Sequence, residues 1–164
     1  MKSRPNAAGF TLIEMVVTVT LVGVLLMIAA PGMRQLTLNQ GIKTAAYDVF
    51  AALQYARSEA IKSNGSVTLR AGASTDGAWT TGWRVVDGSS HVLRSWTVAS
   101  NLSIAEKANS GATIITFGPD GHVTSPSSPP RVEIDPSAST SGVTARCVGV
   151  DLIGRPISQL GTCS

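Results

Sequence analysis

Hydrophobic positions along this chain fall into three regimes, and each predicts a different element. From Phe10 to Ala30 the sequence FTLIEMVVTVTLVGVLLMIAA is apolar all round, 21 residues carrying one charge, Glu14. At about 1.5 Å per residue such a helix spans roughly 31 Å, the thickness of a bilayer core. Its threonine hydroxyls can bond back to helix carbonyls. Beyond Pro31, apolar residues recur at three-and-four spacing through Ile42, Ala45, Ala46, Val49, Phe50, Leu53, Ala56, Ala60 and Ile61. Lys43, Asp48, Gln54, Ser58 and Lys62 make the opposite face. That is an amphipathic helix packed along one stripe, and Asn64-Gly65 is a natural stop for it. One helix from Phe10 to about Ser63 is therefore expected. Pro31 removes an internal hydrogen bond and Gly32 and Gly41 weaken the helix nearby, so this region is expected to kink or partly melt.

After Gly65 the pattern shortens to β-type runs at 66–70 (SVTLR), 82–87 (GWRVVD), 91–98 (HVLRSWTV), 112–117 (ATIITF), 131–134 (RVEI) and 145–152 (ARCVGVDL). Asp76-Gly77, Asp87-Gly88 and Asp120-Gly121 read as hairpin turns between them. Residues 124–144 are dominated by Ser, Thr and Pro around RVEI, which predicts loop flanking a single strand, read as a plain connector ahead of a surface for partners. A long helix followed by antiparallel strands is α+β, with the helix covering one sheet face.

Composition narrows the function classes. With 164 residues, 43% hydrophobic and 14% charged, the chain is one globular unit with far fewer charges than an average soluble domain. Aromatic content of 5% argues against a nucleic-acid module of basic patches interleaved with aromatics. The net charge of +3 falls to +1 once Lys2 and Arg4 are set aside. Those two bases precede the apolar run and the next, Arg34, follows it, which places the N-terminus in the cytoplasm and the C-terminal part outside.

Candidate chemistry is sparse. Cys147 and Cys163 are the only cysteines, too few for a four-cysteine zinc site and suited to one disulfide in an oxidising compartment. Closing the intervening loop stabilises by about 3 kcal/mol on chain-entropy grounds. His91 and His122 each follow a turn signal and have no metal-ligand spacing, so both read as exposed turn residues. Neither a G-x-S-x-G elbow nor a glycine-rich nucleotide loop is present. The expectation is a chain with no catalytic residues, no metal and no cofactor. Glu14 stands apart, because a carboxylate within a bilayer costs at least about 2.5 kcal/mol and calls for a partner.

The junction MKSRPNAAG followed by FTLIEM resembles the class III leader of type IV prepilins and pseudopilins. That resemblance implies cleavage after Gly9 by a prepilin peptidase and N-methylation of the new first residue, Phe10. Glu14 is then the fifth residue and Pro31 the twenty-second, both at the family's spacing. The ammonium of Phe10 on a neighbouring subunit would supply the charge opposite Glu14 and set helices in register within a filament. LQYARSEAIKSN, residues 53–64, resembles the signature of the GspH/FimT branch, and GWRVVD and ITFGPDG are similar to that branch more loosely.

The resemblance implies a type IV pilin-like fold. It divides into a leader (1–9), a transmembrane helix (10–30), its amphipathic continuation (31–64), and a β-rich ectodomain with a C-terminal disulfide loop (65–164). It further implies single-pass anchoring in a bacterial inner membrane, a periplasmic C-terminal domain, and later residence in a filament or at its tip. The implied role is that of a minor pilin in the initiating or tip complex of a type IV pilus. Its partners would be the prepilin peptidase, other minor pilins, the major pilin or pseudopilin, and inner membrane lipids. A type II secretion pseudopilin for protein export is one alternative. A DNA-binding minor pilin for natural transformation is another, since some FimT-like pilins bind DNA through Gly-Arg-x-Arg. Here Gly154 and Arg155 match, but Ile157 stands where the second arginine would be. The tail from Arg131 onward balances Arg131, Arg146 and Arg155 against Glu133, Asp135 and Asp151, which leaves little attraction for phosphate and puts DNA behind assembly.

Overall fold

The computed structural model describes residues 9–74, 77–109, 111–151 and 153–163, with backbone alone at 28–31. The leader up to residue 8 and Asp76 of the first turn signal lie outside the described residues. One helix, α1 (Leu12–Ser63), runs without interruption through Pro31. Of the two outcomes expected at Pro31, kinking and partial melting, the helix shows the kink: Leu12–Met27 and Gly32–Ser63 are inclined 45° to one another. Thr11 caps the start, its Oγ1 accepting from the Glu14 N–H at 3.3 Å, which satisfies one of the orphan donors of the first turn. At the other end Asn64 adopts left-handed backbone (φ 49°, ψ 40°) and the Gly65 N–H donates to the Ala60 carbonyl at 3.1 Å. This closure is a Schellman-type stop at the position the Asn-Gly pair predicts.

Nine strands follow among the described residues: β1 (Val67–Ala71), β2 (Gly82–Val86), β3 (Val92–Thr97), β4 (Leu102–Glu106), β5 (Ile114–Phe117), β6 (Val123–Ser125), β7 (Arg131–Pro136), β8 (Arg146–Val150) and β9 (Pro156–Leu160). The expected helix-on-antiparallel-strand arrangement is present, with the strands divided between two sheets. One has the order β3-β2-β1-β5-β6 and the other β4-β7-β8-β9, all pairs antiparallel. Strands β4, β6 and β9 have no counterpart among the β-type runs of the sequence. A 3-10 turn at Trp79–Thr81 rests against β4, with the Trp79 indole donating to the Ala112 carbonyl at 2.9 Å.

The second half of α1 packs on both sheets through Ile42, Ala45, Ala46, Val49, Ala52, Leu53, Ala56 and Ala60. These residues are the predicted stripe with Ala52 added; Phe50 packs against the core only partly buried, and Ile61 is half exposed. Small residues dominate it, so the sheets approach the helix backbone closely. Opposite stand Val67, Leu69, Trp83, Val85, Ile115 and Phe117 of the first sheet and Val132, Ile134, Val148 and Val150 of the second. The alternation Val67/Leu69/Ala71 on β1 is the period-two signature of a strand buried on one face.

Two of the predicted hairpin turns form as the sequence indicates. Asp87 Oδ1 accepts from the Ser89 and His91 N–H groups, both at 2.9 Å, between β2 and β3. Asp120 Oδ1 accepts from the His122 N–H at 3.0 Å between β5 and β6. Those backbone hydrogen bonds lead the causes that hold both aspartates below the usual carboxylate range. His91 and His122 are exposed beside them.

The segment between β7 and β8, expected to be open loop, is tied to the helix. Gln35 Nε2 donates to the Ser141 carbonyl at 2.8 Å and Asn39 Nδ2 to the Gly142 carbonyl at 3.2 Å.

Candidate functional site

Among the described residues, the N-terminal half of α1 has nothing to pack on. Phe10 is 85% exposed, and Leu12, Ile13, Met15, Val16, Val17, Val19, Leu21, Val22 and Leu25 lie open on all sides of the helix. A helix apolar all round and covered by nothing of its own must be covered by lipid or by other helices. No single straight helix among the described residues is long and apolar enough to cross a membrane, whereas Leu12–Met27 together with Gly32–Ser63 passes on length and composition. Thr18 Oγ1 donates to the Met15 carbonyl at 2.9 Å, and Thr20 Oγ1 reaches the Val16 and Val17 carbonyls at 3.0 and 2.8 Å. Those hydroxyls are thereby satisfied inside the helix and leave its surface effectively apolar. Glu14 is the one acidic residue of the first turn, exposed on that surface, and Phe10 precedes it by one turn.

The expected disulfide is in place, Cys147 on β8 joined to Cys163 after β9. Glu133 on β7 supports it, Oε2 accepting from the Cys163 N–H at 2.7 Å and Oε1 meeting Lys107 Nζ at 3.4 Å. The neighbouring Asp135 carboxyl is pushed up, first by burial and then by the Glu133 charge, against the pull of Lys107.

Gly154 and Arg155 sit in the turn between β8 and β9 and have separate surroundings. Gly154 is buried with φ +79°, and a Cβ there would collide with the carbonyl of Gly121. Arg57 on α1 lies against both glycines and donates through Nη2 to the Ile153 carbonyl at 3.2 Å. Arg155 is exposed and folds back on its own turn, Nε 3.3 Å from Asp151 Oδ2, while its backbone N–H donates to Asp151 Oδ1 at 2.7 Å. Ile157 follows on β9, where the side chain at the absent arginine's position is half-buried.

One group went unnoticed in the sequence. Glu106 at the end of β4 is 3% exposed and accepts from the backbone N–H groups of Ala108, Asn109, Ala112 and Arg131 and from Asn109 Nδ2. Burial raises its pKa, the hydrogen bonds from Asn109, Arg131 and Ala112 lower it, and the net shift is downward. It fastens the loop after β4 to the start of β7. No motif marks such a residue; only its place on an alternating L-S-I-A-E run hints that it faces inward.

The comparisons agree with this architecture. The family model described as type II transport protein GspH matches residues 45–154, and the prokaryotic N-terminal methylation motif matches residues 4–30. No curated protein matches the chain by sequence. Among solved structures, the type IV minor pilin FimU of Pseudomonas aeruginosa is 27% identical with a TM-score of 0.59, covering 72% of this chain and 87% of that one. The minor pseudopilin EpsH from the type 2 secretion system of Vibrio cholerae has a TM-score of 0.51 at 17% identity, covering 73% and 94%, a likeness of fold. A long helix packed on antiparallel sheets is the fold that this chain has in common with them. With two thirds of its length matched by the family model and a methylation motif ahead of it, this chain belongs to the GspH family of minor pilins and pseudopilins.

Proposed function

We propose that this chain is a minor pilin acting in the initiation or tip complex of a type IV pilus. The observation that carries the reading is the bare apolar half of α1, Phe10 to Met27, joined to an ectodomain similar to a type IV minor pilin over most of the chain. In a membrane that surface is solvated by lipid, and in a filament by the same half-helices of neighbouring subunits. Prepilin peptidase cuts after Gly9 and methylates Phe10, and the resulting N-terminal ammonium is the natural partner for Glu14 of an adjacent helix. A buried carboxylate that gains such a partner converts a desolvation cost into a register signal, because only one axial offset brings the two charges together. The bend centred near Pro31 lets the ectodomain lean relative to the packed half-helices. Before assembly the protein is held in the inner membrane with its disulfide-bearing domain in the periplasm, where disulfides persist. No catalytic step is assigned to it.

The pseudopilin reading shares every feature of the chain and differs in the machine served. Deleting the gene and scoring surface filaments, twitching and enzyme export separates the two. Loss of filaments and twitching with export intact supports the pilus assignment, and loss of export with filaments intact replaces it with the secretion role. DNA binding is the weaker reading, because Arg155 is engaged by Asp151 and Gly154 by packing.

A further inference from the structure

Each sheet ends in two edge strands, and an edge invites a further strand unless the chain blocks it. Among the described residues, three of the four edges carry a block. β6 is three residues long, β3 has Arg94 at its centre, and β4 has the 3-10 turn Trp79–Thr81 against it. β9 differs, since Pro156–Leu160 holds no charged residue and Ser158, Gln159 and Leu160 are exposed, Leu160 by 68%.

The register fixes which backbone groups of β9 are free. The Gly161 N–H donates to the Ala145 carbonyl at 2.9 Å and the Asp151 N–H to the Arg155 carbonyl at 3.1 Å. Bonded pairs recur at every second residue of an antiparallel ladder, so Ile157 with Gly149 and Gln159 with Cys147 are the bonded pairs between them. Ser158 and Leu160 therefore turn N–H and C=O outward, where no strand meets them. Pro156 adds an outward carbonyl without an N–H.

The side chains of Ser158 and Leu160 share the face of Arg146, Val148 and Val150, which is the face α1 covers. A groove of about 410 Å³ lies there, lined by Ala46, Tyr47 and Phe50 of α1 and by Ser158. Lys43 and Arg146 supply its only charges. Neither side chain has an ion pair or hydrogen bond among the described residues. The groove is thus cationic with aromatic walls, and its complement is a carboxylate beside an apolar group. An extended segment laid along β9 brings both, because its residues opposite Ser158 and Leu160 bond to the free edge and point their side chains to the α1 side. A second copy joined edge to edge would instead set Lys43 and Arg146 of both copies on one face, with no carboxylate between them.

We propose that β9 accepts an extended, carboxylate-bearing segment of a partner protein as a fifth strand of the second sheet, its carboxylate meeting Lys43 and Arg146. The inference rests on the edge and the groove, independently of the assembly reading above. The test uses the full-length ¹⁵N-labelled protein in detergent micelles and the capped peptide Ser-Val-Thr-Glu-Thr-Val-Ser, whose valines and glutamate share one face when extended.

Expected is saturable, salt-weakened binding in which the Ser158 and Leu160 amides exchange about tenfold more slowly while Ile157 and Gln159 are unchanged. A lysine in place of the peptide's glutamate should weaken binding several-fold, as should Lys43→Gln combined with Arg146→Gln. N-methylation of the valines and glutamate, whose N–H groups face β9, should abolish binding, and N-methylation of the threonines should not. Leu160→Pro removes an outward N–H and no bond to β8, and should lose the peptide with Ile157 and Gln159 still protected; the methylated peptides decide the same point on the unaltered protein. Absence of slowing at Ser158 and Leu160, or equal binding of the lysine peptide, would overturn the proposal. Slowing that needs no peptide and grows with protein concentration would make the occupant a second copy, and displacement of the peptide by inorganic phosphate at matched ionic strength would leave a plain anion site; either result also overturns it.

Discussion

Gly154 packs directly on the carbonyl of Gly121, which places the turn between β8 and β9 of one sheet against the turn between β5 and β6 of the other. Both glycines have positive φ, +79° and +77°, and Arg57 Nε lies 3.2 and 3.1 Å from where their Cβ atoms would be. The close approach of two backbones at a point where α1 also arrives requires residues without a Cβ. Gly154→Ala is therefore expected to lower stability by about 3 kcal/mol or more, from left-handed strain together with the collision. Arg155→Ala removes an exposed ion pair and is expected to cost less than about 1 kcal/mol. Urea denaturation of the two variants checks the contrast. The comparison also bears on DNA: a loss of binding in Gly154→Ala reports the fold, whereas the same loss in Arg155→Ala, steeply salt-dependent in the parent, reports phosphate contact.

Glu106 predicts an acid-sensitive ectodomain. Its folded pKa lies below its ordinary value, so its contribution is fully present above the unfolded pKa and is lost as pH falls through the folded one. Stability should fall on acidification through the carboxylate range, and Glu106→Gln should flatten that part of the profile. At neutral pH the same substitution leaves several backbone donors with a poorer acceptor and should cost about 3 kcal/mol. Urea titrations at a series of pH values measure both. A Glu106→Gln profile parallel to the parent's would assign the acid sensitivity elsewhere.

The C-terminal strand depends on covalent and polar anchors more than on burial, since β9 is largely exposed. Cys147 and Cys163 are separated by 16 positions, for which loop entropy gives about 3 kcal/mol. Thiol reduction should lower the thermal midpoint and raise proteolysis after β8 ahead of the rest of the ectodomain. Glu133→Ala should matter less in the reduced protein than in the oxidised one, because the Cys163 N–H it receives is held in place by the bridge. Additive effects in a double-mutant cycle would contradict that coupling.

The helix and the order of the principal strands were legible because burial writes a period into the sequence. Ile42 to Ala60 carries the helical stripe, Val67 to Ala71 alternates, and Asp87 and Asp120 sit in turns whose geometry their own side chains impose. What was missed has little such pattern. β9 is an exposed edge that opens with Pro156, β6 is three residues long, and β4 ends on a carboxylate that reads as surface but is buried among N–H donors. The second sheet escaped for the same reason, since two of its four strands are β4 and β9. The packing of Gly154 was not legible, because its contact with Gly121 joins residues far apart in sequence and leaves no local trace.

The central claim is that the bare half of α1 is a filament-building element. The most direct test is mass spectrometry of this protein in sheared surface filaments from cells of its source, scoring both its presence and its N-terminal peptide, alongside a strain carrying Glu14→Val. The account predicts a chain beginning at N-methylated Phe10 in the sheared fraction. It also predicts that Glu14→Val is processed and retained in the membrane while its share of the filaments drops at least tenfold. A parent protein found only in the membrane with the leader still attached, or Glu14→Val incorporated as well as the parent, would contradict it.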